Sequence, residues 1–315
     1  MSCSANSMAE QLQLRLAHIA PPNSAFDIGA KRMATHLEKI SEGQLTLKII
    51  ASGVLGNEGQ MLAQLKREKL DFVVIGVAAA PLFLRQKEFM VMRAPYLFRD
   101  QSHYHAFLNS PLANKMMVNF EKNTGVKYLG YLGDRSPRAL TTTDRKVKTV
   151  GDVKGLKIRV PSIPIYTAIW QAWGANPMGL KGSEVYTSLQ SRLVDGQDNG
   201  LLLVTQAGWD EVQKYYAPLN YVYSGYGVFV NSNSWAEFSP VQQQWLLEAA
   251  RRAAAQDKIS FKQDMEKAEE KARARGMVLL EVDRLSFEHA AASVVEAFDG
   301  QYWPEGLYQQ IRAIE

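Results

Sequence analysis

The stretch Gly155–Asn199, GLKIRVPSIPIYTAIWQAWGANPMGLKGSEVYTSLQSRLVDGQDN, decides the fold. Leu156, Ile158 and Val160 alternate with Lys157 and Arg159, the period of a strand with one buried face, and Pro161 stops the run. Pro164 is placed to open a helix and Gly174 to close it. A second helix–strand step follows and ends in VDGQDN, so Arg159 and Asn199 stand at the ends of two strands joined by helices. In open α/β sheets ligands bind at the carboxyl ends of the strands, and this arrangement predicts an anion-binding cleft. A planar guanidinium offers paired N–H donors that match a carboxylate, a fit that lysine does not reproduce. Spacing alone leaves two readings for each residue. Arg159 is a ligand-binding group or a polar position on the solvent face of an edge strand; Asn199 is an amide donor or a helix cap or Asx turn. Tyr166, Trp170 and Trp173 recur at i, i+4 and i+7 and are expected to pack on the sheet.

Outward from this stretch the chain keeps the same rhythm. LQLRLAHIA (Leu12–Ala20), LTLKIIA from Leu45 and the nearly all-apolar DFVVIGVAA from Asp71 read as strands. Between them lie a helical pattern on Phe26, Met33, Leu37 and Ile40 and a second on Met61, Leu62 and Leu65, the latter preceded by a loop at Gly53 and Gly56. Apolar strands separated by amphipathic helices predict a parallel sheet covered on both faces, so the fold class is α/β. VKYLGYLG gives a further strand leading to Asp134–Arg138. From Gln242 to Arg275 no glycine or proline interrupts a helix-compatible run of roughly 30 residues, about 45 Å long if it stays helical. The alternative is two shorter helices joined near Lys258.

Composition excludes several classes of function. With 46% hydrophobic and 22% charged residues the chain is neither disordered nor membrane-spanning, and no apolar run approaches the roughly 18 residues of a span. The formal charge of +4 is dispersed, 36 basic residues among 32 acidic, which argues against a nucleic-acid groove while favouring anionic solutes. The one cysteine, Cys3, precludes an intramolecular disulfide and is a poor nucleophile. His103 and His105 lack the companions of a zinc motif, and ASGVLGNEG matches no phosphate-loop pattern. No cofactor or metal is expected, and an enzyme is not favoured. MSCSANSMAE lacks the parts of a secretory signal and reads as a flexible, processed or artificially added start over residues 1–11.

Gly155–Pro161, Glu184–Gln190 and Val194–Asn199 closely resemble the motifs GlKiRvP, EvYtaLQ and vDGqEN of the solute-binding proteins of tripartite ATP-independent periplasmic (TRAP) transporters, the DctP family. Weaker likeness extends through LKREKLDFVV, RALTTT at Arg138–Thr143 and WDEVQKY at Trp209–Tyr215. Asp198 stands for the usual Glu, Gly200 for the usual Pro, and Gly182 where relatives often place an aromatic ring. The resemblance implies a two-lobed periplasmic-binding-protein fold with a cleft between lobes and a long lobe-spanning helix. Lobe I would take residues 12–135 plus 225–265 and lobe II 136–224 plus 266–315, with hinges near Ser136 and Ser224. It implies that Arg159 forms the two-pronged salt bridge with a substrate carboxylate, Arg138 a second cationic contact and Asn199 an amide donor. His18, Gly76 and Ala79 would line the lobe I wall, and Gly182, Tyr221 and Tyr223 the other. Sialic-acid binders of the family carry charged residues in the third-strand loop where this chain has the apolar GVAAA, so a compact, modestly hydroxylated acid is expected instead. A periplasmic monomer with its signal peptide removed, delivering a small-molecule carboxylate to small and large membrane subunits, completes the expectation. The competing class is an α/β enzyme or ligand-sensing domain on the same scaffold.

Overall fold

The computed structural model describes residues 11–315; Cys3 and all but the last residue of the expected 1–11 start lie outside it. In chain order the elements are β1 (Leu12–Ala17), α1 (Ala25–Ile40), β2 (Leu45–Ile50), α2 (Glu58–Lys66), β3 (Phe72–Gly76), α3 (Ala79–Phe83), α4 (Gln101–Leu108), α5 (Pro111–Thr124) and β4 (Val126–Arg135). There follow β5 (Leu140–Thr142), β6 (Lys157–Val160), α6 (Pro164–Ala172), β7 (Asn176–Gly179), α7 (Val185–Gln190), β8 (Gly196–Gln197), α8 (Leu201–Gln206) and β9 (Tyr215–Ala217). The chain ends with β10 (Ser224–Asn231), α9 (Ser232–Glu237), α10 (Pro240–Ala274), β11 (Val278–Leu279), α11 (Arg284–Phe298) and α12 (Leu307–Arg312). Two compact units result. Unit 1 takes the chain through Ala80 with Met117–Gly133 and Gly225–Ile259; unit 2 takes Pro81–Met116, Asp134–Ser224 and Ser260–Glu315.

Unit 1 is a five-stranded sheet in the order β2-β1-β3-β10-β4. β1 pairs parallel with β2 and β3, as the alternating strands and helices predict, but β10 lies antiparallel to β3, Tyr226 opposite Gly76 and Val230 opposite Phe72. The sheet is therefore mixed rather than parallel. Two glycines admit the new strand: a Cβ on Gly225 would stand 2.3 Å from Tyr131 Cε2, and one on Gly227 2.6 Å from the Gly130 carbonyl of β4. The run after Phe72 leaves the sheet at Gly76, and Ala79 already opens α3. Ser24 caps α1, whose Met33 and Leu37 bury against Leu14, Leu16 and Val74. Leu246, Ala249, Ala250 and Ala253 of α10 join the same core.

Unit 2 is a six-stranded sheet ordered β11-β9-β5-β8-β6-β7. Its core gathers Val185 and Leu189 of α7, Leu201 and Val204 of α8, Tyr216 of β9, and Ala268 and Ala272 of α10. α10 is one uninterrupted helix of 35 residues, about 52 Å at 1.5 Å per residue, not two joined near Lys258. His103 and His105 lie on α4, His103 Nε2 3.1 Å from the Ile311 carbonyl and His105 Nε2 2.8 Å from Asp134 Oδ1. Among the described residues no three His, Cys, Asp or Glu side chains gather as a metal cage.

Candidate carboxylate-binding site

β6 carries Arg159 into the middle of a sheet, not to its edge. The strand lies between β8 and β7, both parallel to it, with Arg159 paired with Gln197 and Met178. Arg159 is only 5% exposed, so it does not occupy the solvent face that strict alternation suggests. Its Nε and Nη2 donate to the Leu180 carbonyl at 3.0 and 2.6 Å, which fixes the plane of the guanidinium. Leu180 is in turn held by its own N–H on the Val160 carbonyl. Both of these bonds lie along the side edge of the fork, and no carboxylate lies within ion-pair distance of Arg159 among the described residues. Burial without a partner pushes the Arg159 pKa down to about 10, against the opposing pull of the more distant Asp198.

Arg138 lives in the opposite environment. Asp198, wholly buried, takes its side edge in a fork, Oδ2 3.2 Å from Nε and Oδ1 2.5 Å from Nη2. Tyr221 donates its hydroxyl to the same carboxylate at 2.5 Å and Trp170 its indole N–H at 3.3 Å. The guanidinium lies 4.3 Å from the centroid of the Tyr166 ring, and Arg93 Nη1 donates to the Tyr166 hydroxyl at 2.8 Å. Burial disfavours the Arg138 charge, yet Asp198 outweighs it and holds the pKa well above its ordinary value. For Tyr221, burial and then the neighbouring carboxylate push the phenol far up.

Asn199 is 4% exposed, and both its backbone N–H and its Nδ2 donate to Gln197 Oε1 at 2.8 Å. Gln197 continues inward to Thr141 Oγ1. The helix cap falls on Gly200, not Asn199, and a Cβ at Gly200 would meet Ser136 Oγ at 2.3 Å, which explains glycine at that point.

The remaining expected residues divide between the units. In unit 2, Tyr221 is fully buried against Asp198, Tyr223 is 7% exposed, and Gly182 opens an exposed turn with nothing within 4 Å of where a Cβ would be. In unit 1, His18 is fully buried just beyond β1, its Nε2 3.4 Å from Asp27 Oδ1 but without an aligned hydrogen bond, and burial lowers its pKa despite that carboxylate. Gly76 ends β3 and Ala79 opens the apolar turn of α3. Unit 2 thus brings Arg138 and Tyr221 into direct contact and places Arg159 within the field of Asp198. Sequence reasoning missed Asp198 as the partner of Arg138, and it favoured packing on the sheet over ligand contact for Tyr166 and Trp170. The signal was the second of two acidic residues in VDGQDN, which faces an arginine 60 residues away with no fixed spacing to betray the pair.

The fold is α/β, and its second unit holds a buried arginine with no carboxylate partner among the described residues. The chain matches the bacterial extracellular solute-binding protein, family 7 (DctP) over residues 16–301 and belongs to that family, the solute-binding proteins of TRAP transporters. Among relatives, the 2,3-diketo-L-gulonate-binding periplasmic protein YiaO of Escherichia coli is 29% identical over 308 residues, covering 96% of this chain and 91% of its own. A TRAP periplasmic solute-binding protein from Bordetella bronchispeptica, with density interpreted as pantoate, superposes with a TM-score of 0.88 at 28% identity over 97% of this chain and 100% of its own. One from Pseudomonas putida F1 with bound D-glucuronate gives 0.86 at 25% identity over 96% and 98%. The close structural matches are two-lobed proteins that bind small acids, and the family's members are transport proteins rather than enzymes. No helix among the described residues is long and apolar enough to cross a membrane.

Proposed function

We propose that the chain works in the periplasm, captures a small organic acid by its carboxylate on Arg159, and delivers it to the small and large membrane subunits of a TRAP transporter. The observation that carries the reading is a 5% exposed guanidinium whose end edge is open and which has no carboxylate partner among the described residues. A buried charge is tolerated when it is paired, and a ligand carboxylate supplies the pair. Arg138 adds a contact through Nη1, which its fork with Asp198 leaves over, and Asn199 adds the second N–H of its amide. Tyr221 acts through Asp198. Within unit 2, Gly182 and Tyr223 shape selectivity. Calorimetric titration with pantoate, D-glucuronate, L-galactonate and smaller hydroxy acids tests this. Arg159→Ala is expected to lose about 2–5 kcal/mol of binding while staying folded, and Arg159→Lys to remain poor because it keeps the charge without the fork. Near-native affinity in both variants would remove the carboxylate clamp from consideration.

A further inference from the structure

We infer that Arg312, on the C-terminal helix α12, is a positioning residue of the binding site: it holds the backbone at Tyr96, and Tyr96 holds Tyr221 against Asp198 and Arg138. The inference rests on the carboxylate role proposed for the unit 2 site, and every group in it belongs to unit 2. Tyr96 has a φ of 55°, in the left-handed region that a bulky residue keeps only when its surroundings impose it. Its side chain supplies no hydrogen bond towards that constraint, because the hydroxyl is buried without a partner. The main chain does. The Tyr96 N–H donates to the Tyr221 carbonyl at 2.7 Å, and the Tyr96 carbonyl accepts from Arg312 Nη1. One strained residue is thus held by the site on one side and by α12 on the other.

The grip is reciprocal. From α12, Tyr308 donates its hydroxyl to the Pro95 carbonyl at 3.0 Å, next to the Arg312 bond. From the segment after Tyr96, Arg99 donates Nη1 to the Arg312 carbonyl at 2.9 Å and Nη2 to the Ile314 carbonyl at 2.8 Å. Those carbonyls stand at and beyond the last residue of the helix, where no intrahelical N–H remains for them, so α12 takes its cap from the segment it restrains. His103 Nε2 adds a bond to the Ile311 carbonyl. Arg284 of α11 steadies the other side of the contact: it donates to the Leu219 and Asn220 carbonyls, just before Tyr221, and its guanidinium lies 5.9 Å from the Tyr96 ring centroid. Tyr221 passes the constraint on through its hydroxyl to Asp198, which holds the fork of Arg138 and accepts the Trp170 indole N–H.

The experiment reads the site first without a ligand and then with one. In proton–nitrogen correlation spectra of the full chain, the Trp170 indole N–H, assigned with Trp170→Phe, reports on Asp198. The indole N–H groups of Trp173 and Trp303, which donate to the Phe287 carbonyl and to Asp299, report on other parts of unit 2. Arg312→Met is expected to shift the Trp170 signal and leave the other two in place, and Arg312→Lys, which can still donate to one carbonyl, to return it towards wild type. Glu288→Gln removes only the 3.5 Å pair with Arg312 and should leave every signal at its wild-type position. In calorimetry with pantoate, D-glucuronate and L-galactonate, the tightest-bound acid should lose about 10-fold in affinity in Arg312→Met and about 3-fold in Tyr308→Phe, the gentler change that tests the same clasp if Arg312→Met does not fold. A Trp170 signal unmoved in both variants, with affinity within about twofold of wild type, would overturn the inference while leaving the clamp intact. Movement of all three indole signals together would overturn it too, as general loosening of unit 2. Wild type silent toward every acid, or Arg159→Ala indistinguishable from wild type, would instead refute the carboxylate reading, with the Trp170 signal still deciding whether Arg312 positions Asp198.

Discussion

Arg138 and Arg159 are both more than nine-tenths buried in unit 2, yet one is closed and the other open. Arg138 has a carboxylate in its fork, a phenol and an indole holding that carboxylate, and an aromatic face beneath its plane. Arg159 has a single carbonyl. The first is a completed structural pair. The second is stable only because the surrounding sheet over-determines its position, and that is how a site is expected to differ from its scaffold. The difference separates stability from binding: changes around Arg138 should fall chiefly on folding, changes at Arg159 chiefly on the ligand.

The largest expected effect is at Asp198. Asp198→Ala leaves the Arg138 charge buried without its partner and should destabilise the protein by about 3–5 kcal/mol in denaturant unfolding. Reverting part of that loss with Arg138→Met in the same chain would confirm that the penalty comes from the orphaned charge. A double variant no more stable than Asp198→Ala would place the cost elsewhere and weaken the comparison.

Arg159→Met should do the reverse. Replacing a buried charge that lacks a partner by an apolar side chain of similar length is expected to be neutral or to stabilise the ligand-free protein by about 2 kcal/mol, with binding lost. If it instead destabilised as strongly as Asp198→Ala, Arg159 would have a structural partner and the contrast would disappear.

Titration sharpens the same contrast. The proposed clamp requires the charged guanidinium, and Arg159 is lowered to about 10 whereas Arg138 is held high. Affinity should be level from pH 6 to about 9 and fall about tenfold per unit as pH rises through 10, until the raised pKa of the bound state is reached. Stability should move oppositely. A cationic group with a depressed folded pKa binds fewer protons folded than unfolded, so its destabilising share fades as pH rises from about 10 towards its ordinary range. The stability difference between wild type and Arg159→Met should therefore shrink in that window. A difference independent of pH would mean that Arg159 is solvated better than its burial implies.

Much of this was legible in residues that act locally. Leu14 and Leu16 against Arg15, the all-apolar Phe72–Ile75 and the uninterrupted α10 carry their conformations in their own periodicity and caps, so the α/β class and the long helix follow from them. β10 was not legible, because its antiparallel place beside β3 depends on a return of the chain from residue 224 and on glycines that let β4 approach. Arg159 could be singled out from its motif, but its burial could not: four residues, KIRV, alternate equally well at the edge or the centre of a sheet. The fork between Arg138 and Asp198 joins positions 60 apart, and only folding reveals which arginine is closed.

The smallest effect concerns the rim rather than the charges. Gly182 is exposed, its φ is not in the left-handed region, and a Cβ there meets nothing within 4 Å, so Gly182→Phe should change stability by no more than about 0.5 kcal/mol. The ring should shrink the space open to a ligand and weaken the bulkier acids first, leaving the smallest near wild type in a thermal-shift screen. The residues from Gly76 to Ala80 offer no side-chain donor or acceptor, and each ligand hydroxyl buried without a partner costs about 1–3 kcal/mol. Sialic acid should for that reason fail to raise the melting temperature, whereas compact monocarboxylates with few hydroxyls should raise it in wild type and lose that effect in Arg159→Ala. A screen in which only sialic or highly hydroxylated sugar acids stabilised the protein, with Gly182→Phe leaving every ligand unaffected, would show that selectivity is set by groups other than these apolar and open positions, even with the open arginine intact.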